Sequence, residues 1–283
     1  MSEAREHVDD SGVHYDIEPR VFELLLDENL NYSSGIHVDG DPDLDRAQQA
    51  KMHRIAGICG FREGQRVLDM GCGWSGPAAW FAKEYGVHVT GLNLSPEQRA
   101  YGLARAERMG VGERLEVVVA RAQEADFPDA SFDHVVFLES IIHMEEKDEI
   151  FANCARMLRP GGTVFVQESD YDRQSRKEKY LADRGFDEVD QAFGGTATMC
   201  SGGRMLMHME EAGLVPIHLS DISDDYKITL AQWLKNLDVH GDAMRAIDPR
   251  AHTMLRRYLM IALGTYRAGG TVCHMMAARK PGV

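Results

Sequence analysis

The 283-residue chain has little cysteine, and what it has is unpaired: Cys59, Cys72, Cys154, Cys200 and Cys273 are odd in number and share no short spacing. That excludes a disulfide framework and a cysteine-rich metal site, so the five read as reduced thiols and no metal is expected. Long apolar runs are missing as well. The opening MSEAREHVDD lacks the apolar segment of a secretory signal, and no stretch approaches the roughly 18 uninterrupted apolar residues of a membrane span. Positive charge is scarce: 31 Lys and Arg stand against 45 Asp and Glu, a net charge of -14. An excess of that sign repels phosphate backbones and anionic lipid, which argues against nucleic acid as a partner and against stable membrane association. The local basic run from Arg173 to Lys179 reads as a solvated helix face before it reads as an anion site. Internal repeats and low-complexity linkers are also absent. The expectation is a single cytoplasmic domain, with assembly into a homo-oligomer left open.

What is present is alternation. From about Gln65, short β-branched runs alternate with helical patterns, as in a parallel sheet with crossover helices. RVLDM, VHVTGLNL, LEVVVA, FDHVVFL and TVFVQES read as strands. SGPAAWFAKEY and the stretch from Pro96 to Met109, capped by Ser95, read as helices. The fold class predicted is α/β, a doubly wound sheet with helices on both faces. Residues 1–60, with helical patterns in EPRVFELLLDEN and PDLDRAQQAKMHRIAGICG, are expected to form an N-terminal lid, and 61–170 the core. Residues 171–283 are expected to supply a cap, two long helices (TLAQWLKNLDVHGDAMRAI and PRAHTMLRRYLMIALGTYRAG) and a closing strand, TVCHMMAARK. The charged stretch between Asp170 and Ser201 is too long for a tight connection and suits a substrate-covering insertion.

Chemistry concentrates after the first strand. In VLDMGCGWSG, Gly71, Gly73 and Gly76 hold G-x-G-x-x-G spacing, which serves a tight turn and close approach of a ligand to the main chain. Alone, such a triplet also serves dinucleotides. Asp69, two residues before Gly71, makes it D-x-G-x-G, the pattern of a loop that receives the amino acid moiety of S-adenosylmethionine (SAM). The second strand ends at Asn93-Leu94, where an acid ordinarily grips the ribose hydroxyls. Asn93 offers a donor and an acceptor there, and Gln98 lies one helical turn on; an exposed helix residue is the bland alternative for Gln98. Arg121, Ala122 and Gln123 occupy the stretch after the third strand that normally meets adenine, although Arg121 reads equally as a surface cation.

With these pieces assembled, the chain resembles the SAM-dependent methyltransferases of the cyclopropane fatty acid synthase and mycolic acid methyltransferase branch. The likeness runs through HYDIEPRVFELLLDENLNYSSG, CGWSGPAAWFAKEYGVHVTGLNLSPEQ, YKITLAQWLKNL and LRRYLMIALGTYRAGG, nearly the whole length. It implies SAM as cofactor, with Tyr32 and Ser33 reaching over its amino acid end and Trp74 in the glycine loop. It also brings departures. Those synthases hold a bicarbonate with a cysteine, a glutamate and a histidine; here the positions are Ser34, Glu139 and Gln167, so the bicarbonate site reads as dismantled, and Glu139 reads as holding the substrate or a water beside the methyl, with binding of neighbouring main-chain amides as the alternative. VFLESIIHM resembles the matching segment of small-molecule O-methyltransferases, which implies His143 as general base with Glu168 behind it, a packing or capping role being the alternative. Tyr226, Trp233 and Tyr258, with Ser34, are expected to line the acceptor pocket, where aromatic faces stabilise a cation. The C-terminal methionines read as core filler first and as an apolar pocket second. Three functions remain in view: methyl transfer to O, N or C of a small, largely apolar secondary metabolite, for which mitomycin-type N-methylation is one example; methylation or cyclopropanation of an unsaturated lipid; and a SAM-binding cyclase or binding protein that transfers no methyl.

Overall fold

The computed structural model describes residues 17–181 and 198–282. Its sheet has seven strands: β1 (Arg66–Met70), β2 (His88–Asn93), β3 (Leu115–Val119), β4 (Phe132–Leu138), β5 (Leu158–Tyr171), β6 (Val215–Asp221) and β7 (Thr271–Arg279). They lie in the order β3-β2-β1-β4-β5-β7-β6. The first five run parallel, and β7 sits antiparallel between β5 and β6. The strand order reverses between β1 and β4, the place where open α/β sheets leave a crevice at the carboxyl ends of the strands. Asp69, Asn93 and Glu139 all fall at those ends.

Side-chain alternation divides the core in two. Val67, Val89, Val136, Phe165 and Met275 face one layer. It is built from α1 (Pro19–Leu25), α2 (Leu44–Cys59), α3 (Gly76–Tyr85), α4 (Pro96–Arg108), α8 (Ser223–Val239), α9 (Gly241–Ile247) and α10 (Ala251–Arg267). Leu68, Val135, Phe137, Val164, Val166 and Met276 face the other, covered by α5 (Lys147–Met157) and α7 (Gly202–Glu211); the short α6 (Lys177–Leu181) precedes α7. Local sequence explains the helix starts. Asp43 accepts a hydrogen bond from the Arg46 amide at 3.0 Å to open α2, and Ser95 accepts from the Gln98 amide at 3.1 Å to open α4.

The structure differs from the sequence expectation in three places. The stretch from Thr229 to Ile247 is not one helix: it breaks at His240, where α8 ends and α9 begins. β6 is a strand that alternation did not show, because Val215, Ile217 and Leu219 are exposed on an outer edge, where Pro216 is tolerated. Residues 202–221 and 271–279 complete the sheet and its far layer, so the helical cap consists of residues 223–267 against the N-terminal helices. Residues 1–16 of the expected lid and 182–197 of the expected insertion lie outside the described residues. Among the described residues, no helix is long and apolar enough to cross a membrane.

Candidate active site

The glycine loop leaves β1 as expected. Gly71 and Gly73 take φ of +89° and +52°, and a side chain at Gly73 would meet nothing within 4 Å, so the main chain there is open to a ligand. Asp69 is 2% exposed, and its Oδ1 has no hydrogen-bond partner among the described residues. Burial raises its pKa to about 7, with Lys51 pulling the other way. A buried carboxyl group with an unpartnered oxygen beside an open glycine turn fits the ammonium of an amino acid moiety.

Asn93 and Gln98 come together, but in different capacities. The Asn93 amide donates to the Gly73 carbonyl at 2.7 Å and to Gln98 Oε1 at 3.1 Å, while its oxygen accepts from the Ser95 amide at 3.0 Å. Asn93 therefore ties the glycine loop to α4 and orients Gln98. Gln98 is buried, not an exposed helix residue, and its Nε2 has no partner among the described residues, which suits it to a ribose hydroxyl. Leu94 beside them is exposed. In the adenine stretch, Arg121 is exposed, Ala122 is buried and Gln123 lies between, on a single turn of 3₁₀-helix, Ala122–Glu124.

On the cap side, Glu139 brackets three elements. It sits just past β4 with φ +55°, a left-handed conformation that costs a non-glycine residue about 1 kcal/mol or more. Its Oε1 accepts from the Ser34 amide at 2.7 Å and from Gln167 Nε2 at 2.8 Å, and its Oε2 accepts from the Tyr226 hydroxyl at 2.6 Å. Burial raises its pKa, and these donors oppose the rise. Gln167 also donates to the Ser34 carbonyl at 3.0 Å, which leaves its buried Oε1 without a partner among the described residues. Ser34, Glu139 and Gln167 are thus drawn together as the resemblance implied, with Tyr226 added. An aromatic chain continues from there. Tyr226 lies 4.8 Å from Tyr266 and 6.2 Å from Trp233, Trp233 lies 5.4 Å from Tyr32, and Phe22 joins Tyr32 at 5.2 Å and Trp74 at 4.5 Å. Tyr258 packs partly buried against the same cluster.

Glu168 lies beside the turn that carries His143, on the opposite face of β5 from Gln167. Strand alternation puts Gln167 on the cap face of β5 and turns Glu168 to the α5–α7 face, where it is 2% exposed. Its described bonds run to main-chain amides, Ile142 at 2.9 Å and Ser169 at 2.8 Å. Burial and the neighbouring Glu139 charge hold its pKa well above the usual carboxylate value. It staples the turn Ile141–His143, a single turn of 3₁₀-helix in which His143 is partly buried. The far side of that turn is held by Thr198, whose hydroxyl donates to the Ile142 carbonyl and whose own carbonyl accepts from Lys147 at 2.9 Å.

One residue was invisible to sequence reasoning. Lys51, on α2, is fully buried and donates to Asn31 Oδ1 at 2.9 Å and Ser33 Oγ at 2.8 Å. A lone lysine in a helix reads as solvated surface, and only its spacing of three from the equally buried Gln48 hinted at a shared inward face. Of the C-terminal methionines, Met205 and Met209 turn from α7 into the core, while Met260 is exposed.

Over residues 2–276 the chain matches the mycolic acid cyclopropane synthetase family. It is 33% identical over 224 residues to the 27-O-demethylrifamycin SV methyltransferase of Amycolatopsis mediterranei (strain S699), covering 79% of each protein. It is 28% identical over 263 residues to the cyclopropane-fatty-acyl-phospholipid synthase of Escherichia coli (strain K12), covering 90% of this chain and 63% of that one. In three dimensions it is similar to mycolic acid cyclopropane synthase CmaA1 complexed with SAH and CTAB, with a TM-score of 0.88, 21% identity, and 99% and 100% of the two chains covered. At that identity, what the two share is the fold.

Proposed function

Since the chain belongs to the mycolic acid cyclopropane synthetase family and is a SAM-dependent methyltransferase, we propose that it methylates a small, largely apolar secondary metabolite through a hydroxyl or amine. The cofactor supplies a methyl group on a sulfonium, open to in-line displacement by the acceptor. The protein's part is to position both and exclude water.

The observation that carries the reading is the locked amide of Gln167. Both its amide hydrogens are engaged, by Ser34 and Glu139, and its remaining oxygen is buried and unpartnered. A hydrocarbon chain laid there would leave that oxygen unsatisfied, at a cost of about 1–3 kcal/mol, whereas a protic acceptor satisfies it. The same side chain stands where the resemblance puts a bicarbonate ligand, and it fills the bracket with a group that carries no charge. The relative named for demethylrifamycin, matched over four-fifths of its length, supports the same reading.

In this reading the aromatic chain from Tyr266 to Trp74 packs the acceptor and favours its developing positive charge. Glu139, set by Ser34, Gln167 and Tyr226, is the carboxylate on the acceptor's side of the sheet and takes the proton that the O or N releases as the new bond to carbon forms. Glu168 positions the turn bearing His143 and does not reach the acceptor.

The test measures S-adenosylhomocysteine (SAH) release with hydroxylated and aminated apolar metabolites and, in parallel, with vesicles of oleoyl phospholipid, each with and without bicarbonate. The expected result is turnover with the former, insensitive to bicarbonate, a loss of about 10²-fold in Glu139→Gln, and a smaller loss in His143→Ala. Bicarbonate-dependent turnover of the vesicles would overturn it.

A further inference from the structure

Lys51 makes its hydrogen bonds, to Asn31 and Ser33, with none of the residues that take part in the proposed reaction. It is an ammonium on α2 with no exposed surface. Burying such a group costs several kcal/mol unless it is paired, and a packing need alone is met more cheaply by an apolar side chain of similar volume. Its partners show what it organises. Asn31, which accepts one bond from Lys51, donates through Nδ2 to Asp27 at 2.8 Å, and the Asn31 amide donates to the other Asp27 oxygen at 2.7 Å. Ser33, which accepts the second bond, has its carbonyl gripped by Gln48 at 2.7 Å. One turn of α2 therefore holds the segment from Asn31 to Ser33 by two side chains, directly before Ser34 reaches Glu139.

The groups that face Lys51 electrostatically come from four directions: Asp27 from the end of the N-terminal helix, Glu139 from β4, Cys273 from β7 and Asp69 from β1. Two of these are the two ends of the site, the acid of the glycine loop and the acid of the acceptor bracket. An amino acid moiety bound beside Asp69 carries both an ammonium and a carboxylate. Asp69 suits the first, and among the residues described around it Lys51, with the Ser33 hydroxyl it orients, is the cation that suits the second.

We infer that Lys51 is a positioning residue for the cofactor: through Ser33 it holds the Asn31–Ser34 segment closed over the glycine loop, and its charge balances the carboxylate of the amino acid moiety. The inference rests on the cofactor assignment and not on the identity of the acceptor, so it stands or falls separately from the proposed substrate. Burial lowers the Lys51 pKa to about 8, with the surrounding acids opposing the drop. A bound carboxylate favours its charged form, so cofactor affinity is greatest with Lys51 protonated and declines as the pH rises through that value.

The experiment is calorimetric titration of the full chain with SAH from about pH 6.5 to about pH 9.5, using wild type, Lys51→Arg and Lys51→Met, with thermal melts of each. The amino group of SAH titrates alike in all three, and Asp69, which Lys51 lowers, adds to the ratio mainly near its own value of about 7, so the upper part of the range isolates Lys51. The expected result is that Lys51→Met weakens SAH binding about tenfold or more near pH 7, and that the ratio of Lys51→Arg to wild-type affinity climbs across the upper part of the range, because a guanidinium keeps its charge there. A Lys51→Met protein that melts like wild type and binds SAH with wild-type affinity overturns the inference. Should Lys51→Met not fold, the arginine variant decides: a ratio that stays flat with pH overturns it equally.

Discussion

At the scale of single residues, the cofactor end rests on Gly73 and Asp69. Gly73 has positive φ and open space above it, so alanine there carries only the backbone cost of about 1 kcal/mol, while valine also extends into the space that a ligand crosses. Gly73→Val should weaken SAH binding about tenfold or more by calorimetry, with Gly73→Ala lying between it and wild type. Asp69 makes a prediction in protons. Burial raises it to about 7, and an ammonium placed against it pulls the value down, so near pH 6.5 binding should release protons that titrations in buffers of different ionisation enthalpy count. Asp69→Asn should abolish that release. Tyr226 donates at 2.6 Å to a carboxylate that already sits in a strained conformation. Tyr226→Phe should cost about 1–3 kcal/mol in denaturant melts, because the carboxylate is left short of a donor.

At the scale of elements, the N-terminal segment is docked more tightly than a detachable lid requires. Gly76 opens α3 directly beneath the Asn29 carbonyl: a methyl group added there would sit 1.6 Å from that oxygen. Arg105 of α4 reaches the neighbouring Glu28 carbonyl at 2.6 Å, and Asn236 of α8 reaches Leu25 at 2.8 Å. Gly76→Ala should therefore displace the 27–31 segment as a unit, destabilise the protein by about 1–3 kcal/mol in urea melts, and weaken SAH binding along with it. If Gly76→Ala left both unchanged, the close approach would have no energetic weight. The turn Ile141–His143 is comparably fixed, by Glu168 on one side and Thr198 on the other, so Glu168→Gln should disturb that whole turn.

At the scale of the molecule, an acidic chain has buried several of its acids at the carboxyl edge of one sheet. Burial raises Asp170 to about 6, Asp69 to about 7 and Glu168 well above its ordinary value. Each is easier to bury protonated, so each contributes stability that is complete below its unfolded pKa and is lost as the pH rises through its folded value. Melting temperature should fall between about pH 5 and about pH 8, and Glu168→Gln should flatten that fall. SAH should reverse part of it, since a ligand that binds only the folded state adds stability in proportion to the logarithm of its concentration over Kd. What the sequence determined by itself was local. The alternation that makes β1 to β5 strands, the Ser95 cap, the glycine turn and Asp69 within it all act over a few residues, and the resemblance carried Ser34, Glu139 and Gln167 with it. The tertiary structure decided the rest because it depends on contacts between distant segments. Whether Glu168 faces the acceptor turns on the face that β5 presents, β6 shows itself only by pairing with β7, and Lys51 becomes a buried cation only when α2 packs against β5 and α3. No local pattern distinguishes such a lysine from a solvated one, since its surroundings come from residues up to more than two hundred positions away, as with Cys273.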